Sequence, residues 1–406
     1  MRTRRRATEI PPTAGLPPRL ADLWPARGPA LDERAAAFLG VDAVQVECSG
    51  TAALVVALET LRRGSSDRRA VVVPAYTCPL VAFAVAHCGL ELRPCDLIRG
   101  GIDFDPVALE RCCDGDVLAV VPTHLGGRVA ELGPTLAVAR RVGAFVIEDA
   151  AQAFGARAGG RSVGLEGDIG FFSLAVGKGL TTYEGGLMIA RDAALRAGLA
   201  ATSRERVPRS IGWELRRSAE LLAYHLLYRP RPLRFAYGHH LRRALRRGDP
   251  VAAVGDDFDA EIPLHTLGAW RRGVGARAFR RLPRFLADGA SRARARVARL
   301  AAIRGVHVVG DAAGGEGTWP FFMLVFDAAA RRDAVLEELW GAGVGVSRLF
   351  IHALPDYADL GRVVGPADVP NARAFAASML TLSNSPWLDD ATFAEVVERI
   401  ERIAGG

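Results

Sequence analysis

The sequence is almost without lysine. Of its 52 basic residues, Lys178 is the single lysine and 51 are arginine. Cysteine is also scarce. The six, Cys48, Cys78, Cys88, Cys95, Cys112 and Cys113, include no Cys-x-x-Cys pair. That absence argues against the common zinc and redox spacings, and the set reads as reduced thiols, mostly in a core. The eight histidines form no zincin pattern, so no metal site is expected. No apolar run reaches the roughly 18 residues that a membrane span needs. No internal repeat is visible. The chain starts with Arg2, Arg4, Arg5 and Arg6, but Pro11 to Pro18 occupies the place of a signal peptide's apolar stretch. Secretion is therefore rejected and a cytoplasmic location expected.

A sole lysine in an arginine-rich chain has two readings. It is a chance survivor of a compositional bias, or it does what arginine cannot. Arginine carries charge equally well, but its guanidinium does not become a neutral amine at working pH, so it forms no imine with a carbonyl. Lys178 is thus a candidate covalent catalyst before any motif is consulted.

What is present indicates a two-domain α/β protein. The 406 residues exceed one compact core, and with half of them hydrophobic and 24% charged the chain is not disordered. Residues 1–28 are rich in Pro and Arg and read as an N-terminal arm. From about 30 to 200, continuous apolar runs such as 70–74, 117–122 and 144–149 alternate with helical patterns, as in a buried, mostly parallel sheet wrapped by helices. Residues 29–255 form the expected large domain and 256–406 a smaller α+β domain with one long helix over about 276–303. Residues 203–250 break the rhythm and read as a basic helical insertion. The stretch 203–248 holds 12 Arg against 3 Glu, an excess of nine positive charges, whereas the whole chain is +7. The basicity is local, so nucleic-acid binding is not implied by the charge of the chain. For 203–248, with its apolar run Ala219 to Tyr228, three readings stay open: helices packed on the body or a partner subunit, contact with an anionic membrane or lipid-linked substrate, and a nucleic-acid contact, the least supported.

Asp149 ends an apolar strand, and Lys178 follows on a later loop. Ligands of such sheets bind at the carboxyl ends of strands. A carboxylate there and a lysine nearby suit pyridoxal 5'-phosphate: the lysine holds the aldehyde and the carboxylate keeps the pyridine nitrogen protonated. An ordinary ion pair or a helix cap is the other reading of Asp149. Cys48-Ser-Gly-Thr-Ala-Ala53 is a strand, a small-residue turn and a helix start, which offers backbone amides, the Thr51 hydroxyl and, from elsewhere, the Ser173 hydroxyl to a phosphate. A plain N-cap is its other reading. Gly341-x-Gly-x-Gly345 follows a helix and reads as a helix C-cap.

Ser49-Gly-Thr-Ala-Ala-Leu54, Val73-Pro-Ala-Tyr-Thr77, His124-Leu-Gly126, Ile147-Glu-Asp-Ala-Ala-Gln152, Lys178 and Glu184-Gly-Gly186 stand in the order of the DegT/DnrJ/EryC1/StrS sugar aminotransferases, which the chain resembles over about 30–195. The resemblance implies the aspartate-aminotransferase fold, fold type I among pyridoxal-phosphate enzymes, and a homodimer. It implies that Lys178 is the Schiff-base lysine and Asp149 the pyridinium partner. Gln152 is similar to the residue that contacts the ring hydroxyl; Gly50, Thr51 and Ser173 resemble the phosphate ligands; His352 stands at the place of a substrate-side histidine. Three features differ from the family pattern. Cys78 occupies the place of the aromatic that stacks on the cofactor, with Tyr76 nearby as a substitute. No Gly-x-Asn-x-Arg loop is visible near 260–275. The late Pro-Leu-His-Pro reads Leu382-Ser-Asn-Ser-Pro386.

The activity that the resemblance implies is transfer of an amino group from glutamate or glutamine to a keto sugar, a nucleotide-linked sugar or a cyclic polyol. A pyridoxal-phosphate enzyme with other deoxysugar chemistry is a second reading, against which the retained Lys178 argues. A cofactor-binding regulatory or scaffold protein without turnover is a third.

Overall fold

The computed structural model describes residues 7–25, 27–65, 67–256, 258 and 261–404. Seven strands form the larger sheet: β1 (Gln45–Glu47), β2 (Ala70–Pro74), β3 (Glu91–Cys95), β4 (Val117–Val120), β5 (Phe145–Asp149), β6 (Ile169–Ser173) and β7 (Gly186–Ala190). Their order is β1-β7-β6-β5-β4-β2-β3. The pairs from β3 through β6 are parallel, and β7 runs antiparallel to both β6 and β1. β2, β4, β6 and β7 are buried along their whole length, as strands covered on both faces must be.

Helix α1 (Gly50–Gly64) starts because the Ser49 hydroxyl accepts the Ala52 amide, satisfying one of the orphan donors of the first turn. Helix α2 (Pro79–His87) starts on a proline, whose missing N–H costs nothing there. Val55, Leu58, Val71, Val73, Leu118 and Ile147 join the two helices and the sheet in one core. Each such side chain contributes about 1.5–3 kcal/mol on burial.

Residues 203–250 are helical. Helix α3 (Ile211–Leu227) is followed by a turn of helix at Pro230–Leu233, a π-turn at Arg234–Gly238 and helix α4 (His239–Arg246). The single helix expected over 276–303 is two, α5 (Ala269–Phe279) and α6 (Leu282–Ala301). Pro283 in the first turn of α6 is the reason, since its ring clashes with the carbonyl four residues back.

A second sheet contains β8 (Val306–Val308), β9 (Phe321–Phe326), β10 (Val346–Ser347) and β11 (Met379–Ser383), in the antiparallel order β8-β9-β11-β10. Helix α7 (Asp390–Ala404) covers it through Val396, Val397 and Ile400. The expected C-cap is present, with Gly343 left-handed at φ +77°. The described part of the N-terminal arm is packed down. Ile10 bridges Val344, just before β10, the Ala14 amide donates to the Pro320 carbonyl, and buried Glu9 pairs with Arg242 of α4 at 2.7 Å. Residues 1–6 of the arm lie outside the described residues.

Candidate active site

A cavity of about 740 Å³ opens between the carboxyl ends of the large-sheet strands and the second sheet. Asp149 and Lys178 both line it, together with Gly50, Thr51, Gln152, Ser173 and Cys78. Seven sequence-derived candidates from five separate segments therefore meet in one place.

Asp149 is fixed by its backbone. Its amide donates to the Pro122 carbonyl and its carbonyl accepts from the His124 amide, while Oδ1 accepts the Ala151 amide at 2.9 Å. Burial raises the carboxyl above its ordinary pKa; the Ala151 amide and the Lys178 and His124 charges oppose that. The neighbouring Glu148 points the other way. It accepts the amides of Gly164, Glu166 and Gly167 and meets His124 Nε2 at 3.0 Å, so it stitches the 164–167 loop beneath Asp149.

Lys178 sits on the loop between β6 and β7. The cavity wall removes its amine from bulk water, and this desolvation lowers its pKa below 10.5, against the pull of Cys78 and Asp149. The arm brackets its loop: the Thr13 hydroxyl donates to the Gly177 carbonyl at 2.7 Å and the Leu16 amide to the Gly179 carbonyl at 3.0 Å. Gly177 itself is left-handed at φ +80°.

The first turn of α1 points at the same cavity. Gly50 lies against Ser173, where an added Cβ would come 3.2 Å from the Ser173 Cβ. Gly186, at the start of β7, lets that turn approach the sheet; a Cβ there would lie 2.2 Å from the Ser49 carbonyl oxygen. Gln152 is held by its Oε1, which accepts the Gly126 amide at 2.7 Å.

Two expected site residues lie elsewhere. Tyr76 does not line the cavity. Its ring packs edge-on against Phe350 and Phe375, and its hydroxyl donates to the Phe350 carbonyl and accepts the Phe350 amide. It is a buried strut; the chain bends once β2 ends at Pro74, and Thr77 and Cys78 line the cavity instead. Cys78 is a wall residue whose thiol burial pushes up to about 12, so it stays protonated. His352 is also absent from the lining: its amide reaches the Tyr357 hydroxyl at 3.3 Å and its ring stands edge-on to the Tyr357 ring.

The cavity has walls that the sequence did not announce. The insertion contributes Trp213, Arg216 and Arg217 from α3. Arg217 is held at 2.7 Å by Glu184, which His265 also contacts, and Trp213 stacks on the buried His265 ring at 5.7 Å. Arg292 enters from α6 and Thr13 from the arm. Asp256 lines it as well, accepting the Tyr357 hydroxyl and the Ile351 amide, with its carboxyl pushed up to about 6 by burial. The signal that the sequence carries for α3 is the basic excess of 203–248, which does not say that it walls a cavity; no local signal marks the contributions of Thr13, Asp256 or Arg292.

The residues present fit pyridoxal phosphate: a desolvated lysine, a buried carboxylate at a strand end, and a helix start with two hydroxyls line one cavity and would offer it three contacts. Solved structures with this architecture include PseC of Helicobacter pylori, an aminotransferase involved in pseudoaminic acid biosynthesis (TM-score 0.73, 15% identity, 97% of this chain and 99% of that one). Another is the aminotransferase TlmJ of Streptoalloteichus hindustanus (TM-score 0.72, 20% identity, 99% of both chains). The fold is that of the type I pyridoxal-phosphate enzymes. In sequence, the chain is 42% identical over 147 residues to L-glutamine:2-deoxy-scyllo-inosose aminotransferase of Micromonospora echinospora, covering 36% of this chain and 34% of that protein. It is 26% identical over 360 residues to dTDP-3-amino-3,4,6-trideoxy-alpha-D-glucose transaminase of Streptomyces venezuelae, covering 88% and 81%. The stronger identities thus span about a third to a half of the relatives' length. The match to the family as a whole is wider: it covers residues 25–210 and 271–401 and is interrupted only between them, at the inserted helices. Running as it does through both sheets and every strand that supports the cavity, that match makes the chain a member of the DegT/DnrJ/EryC1/StrS aminotransferase family.

Proposed function

We propose that the protein is a pyridoxal-phosphate-dependent aminotransferase that moves an amino group from glutamate or glutamine to a keto sugar, nucleotide-linked sugar or cyclic polyol. The observation that carries this reading is the convergence of Lys178, Asp149 and the α1 start on one cavity. Pyridoxal phosphate, when bound, supplies an electron-accepting ring and a carbon that carries the amino group from donor to acceptor.

The chain's own residues do the rest. The first-turn amides of α1, with Thr51 and Ser173, would hold the phosphate. The Asp149 carboxylate would keep the ring nitrogen protonated and Gln152 would orient the ring hydroxyl. The Lys178 amine, favoured in its neutral form by desolvation, would hold the aldehyde and serve as the base that accepts and redelivers the proton of the substrate carbon. The cavity is of the size that holds a cofactor and a sugar-sized substrate together. Its Arg216, Arg217 and Glu184 offer donors and acceptors to a hydroxyl-rich acceptor. The resemblance to the family also supports a homodimer.

An absorbance titration tests the reading. Adding glutamate or glutamine to the purified holoprotein shifts the cofactor band to that of its amine form, and a keto-sugar or keto-cyclitol acceptor restores it. A band that neither amino acid moves would overturn it.

A further inference from the structure

Half of the large apolar side chains left exposed among the described residues lie in one short stretch, 211–235. Ile211, Leu215, Leu222 and Leu226 are spaced four, seven and four residues apart along α3, so they share one face. Ile211 is 79% exposed, Leu215 67%, Leu226 63%, and Phe235 in the following π-turn 75%. The helix is not loosely attached. Its other side buries Leu221, Tyr224 and His225, and the tyrosine packs with Tyr228, Leu233 and Tyr183. A helix whose inner face is satisfied ordinarily turns polar groups to water. This one turns leucines.

The charge around that face is of one sign. Between residues 209 and 247 the only carboxylates are Glu214 and Glu220, and both are engaged, Glu214 by Arg271 and Glu220 by Arg216 and Arg217. Arg229, Arg231, Arg243, Arg246 and Arg247 are exposed. None of the five pairs with a carboxylate among the described residues. A small cavity of about 140 Å³ adjoins Phe235 and is lined by Arg234, His239 and Arg242.

We propose that residues 211–247 form a docking surface for an anionic lipid bilayer, on which α3 lies flat. The chemistry selects this occupant. An isologous contact with a second copy would set the basic stretch against itself. A nucleic acid would satisfy the arginines and leave the leucine stripe in water. A bilayer surface takes both, the leucines at the acyl boundary and the arginines among the headgroups. The helix lies on the membrane and does not cross it: 17 residues rise about 25 Å, short of the roughly 30 Å hydrocarbon core, and no helix among the described residues is long and apolar enough to span. The same helix carries Trp213 and Arg217 into the cavity wall, which sets the cavity about one helix diameter, some 10 Å, from the lipid. The proposal is independent of the reaction proposed above.

Co-sedimentation of the full-length holoprotein with vesicles tests it. With phosphatidylcholine vesicles containing about 30% phosphatidylglycerol at about 0.05 M salt, the protein pellets. Binding falls at least about tenfold with phosphatidylcholine alone, and again at about 0.5 M salt, where screening is within a few ångströms. The double variant Leu222→Asp/Leu226→Asp loses binding at least about tenfold, keeps its cofactor spectrum and keeps its mass by light scattering. Arg243→Gln/Arg246→Gln/Arg247→Gln weakens binding while leaving the leucines in place, which separates the charge from the stripe. Failure of the wild-type protein to bind anionic vesicles at low salt would overturn the proposal. So would a Leu222→Asp/Leu226→Asp protein of half the native mass, which would make the face an interface between copies.

Discussion

Asp149 and Lys178 face one cavity, and burial moves their proton affinities in opposite directions. The carboxyl is raised and the amine lowered, while each charge pulls the other back toward its ordinary value. Both charged forms are penalised by desolvation, the dominant effect for groups removed from water. A bound ring with its own protonated nitrogen would give the carboxylate a partner.

Lys178→Arg removes the neutral amine and keeps the positive charge. The protein is expected to fold, to lose all covalent attachment of the cofactor after borohydride reduction, and to lose at least about 10²–10⁴-fold in turnover. Mass spectrometry of the reduced wild-type protein should place the label on the peptide containing residue 178. In cofactor-free protein, acylation of Lys178 should rise with pH around a midpoint below 10.5, because desolvation favours the neutral amine. A midpoint at or above the ordinary lysine value would contradict the geometry.

Asp149→Asn keeps the shape and the hydrogen bond from Ala151 but removes the charge. Attachment to Lys178 is expected to persist. Turnover should fall by about 10–100-fold, since a hydrogen bond to a charged group contributes roughly 1.5–3 kcal/mol. Near-normal steady-state rates would make the carboxylate structural only.

Tyr76→Phe separates the strut from the site. Loss of the hydroxyl that ties Phe350 should lower stability by about 1–3 kcal/mol, read by denaturant unfolding, while the cofactor dissociation constant stays within about twofold. Cys78→Phe, at a position that does line the cavity, is the contrasting variant and should change cofactor affinity.

Asp256 gives a pH dependence with a definite sign. Its carboxyl is raised from 3.8 to about 6, so between those values the folded state holds a proton that the unfolded state has released. Stability from this group is full below about pH 4 and is lost as pH rises through 6, by roughly 2–3 kcal/mol. In Asp256→Asn that contribution disappears. Thermal midpoints of the two proteins should therefore diverge between pH 7 and pH 5, the wild type gaining on acidification relative to the variant. Parallel curves would show that Asp256 is solvated.

The family resemblance predicts two chains of 43.3 kDa per particle. Light scattering at working concentration checks this; a fully active monomer would refute it.

Most of the large sheet and the core of the candidate site are legible in the sequence. β2, β4, β5, β6 and β7 are largely apolar runs, whereas β3, Glu-Leu-Arg-Pro-Cys, carries no such signal; a sole lysine, a strand-end aspartate and a Ser-Gly-Thr helix start are local signals. Their chemistry is legible without neighbours, because amine, carboxylate and N-terminal amides each have few roles. The small sheet was only partly legible. β11 at Met379–Ser383 is a strand that the sequence does not mark, since five residues between a helix and a turn carry little period-2 signal. Tertiary structure alone decided which side chains reach the cavity. Tyr76 and Cys78 differ by two positions, yet the tyrosine is drawn into the Phe350 and Phe375 cluster and only the cysteine meets the cavity. His352 is drawn to Tyr357, whereas Thr13 and Trp213, far apart in the chain, arrive at the wall. These outcomes depend on packing between segments separated by tens to hundreds of residues, and no local period or motif encodes them.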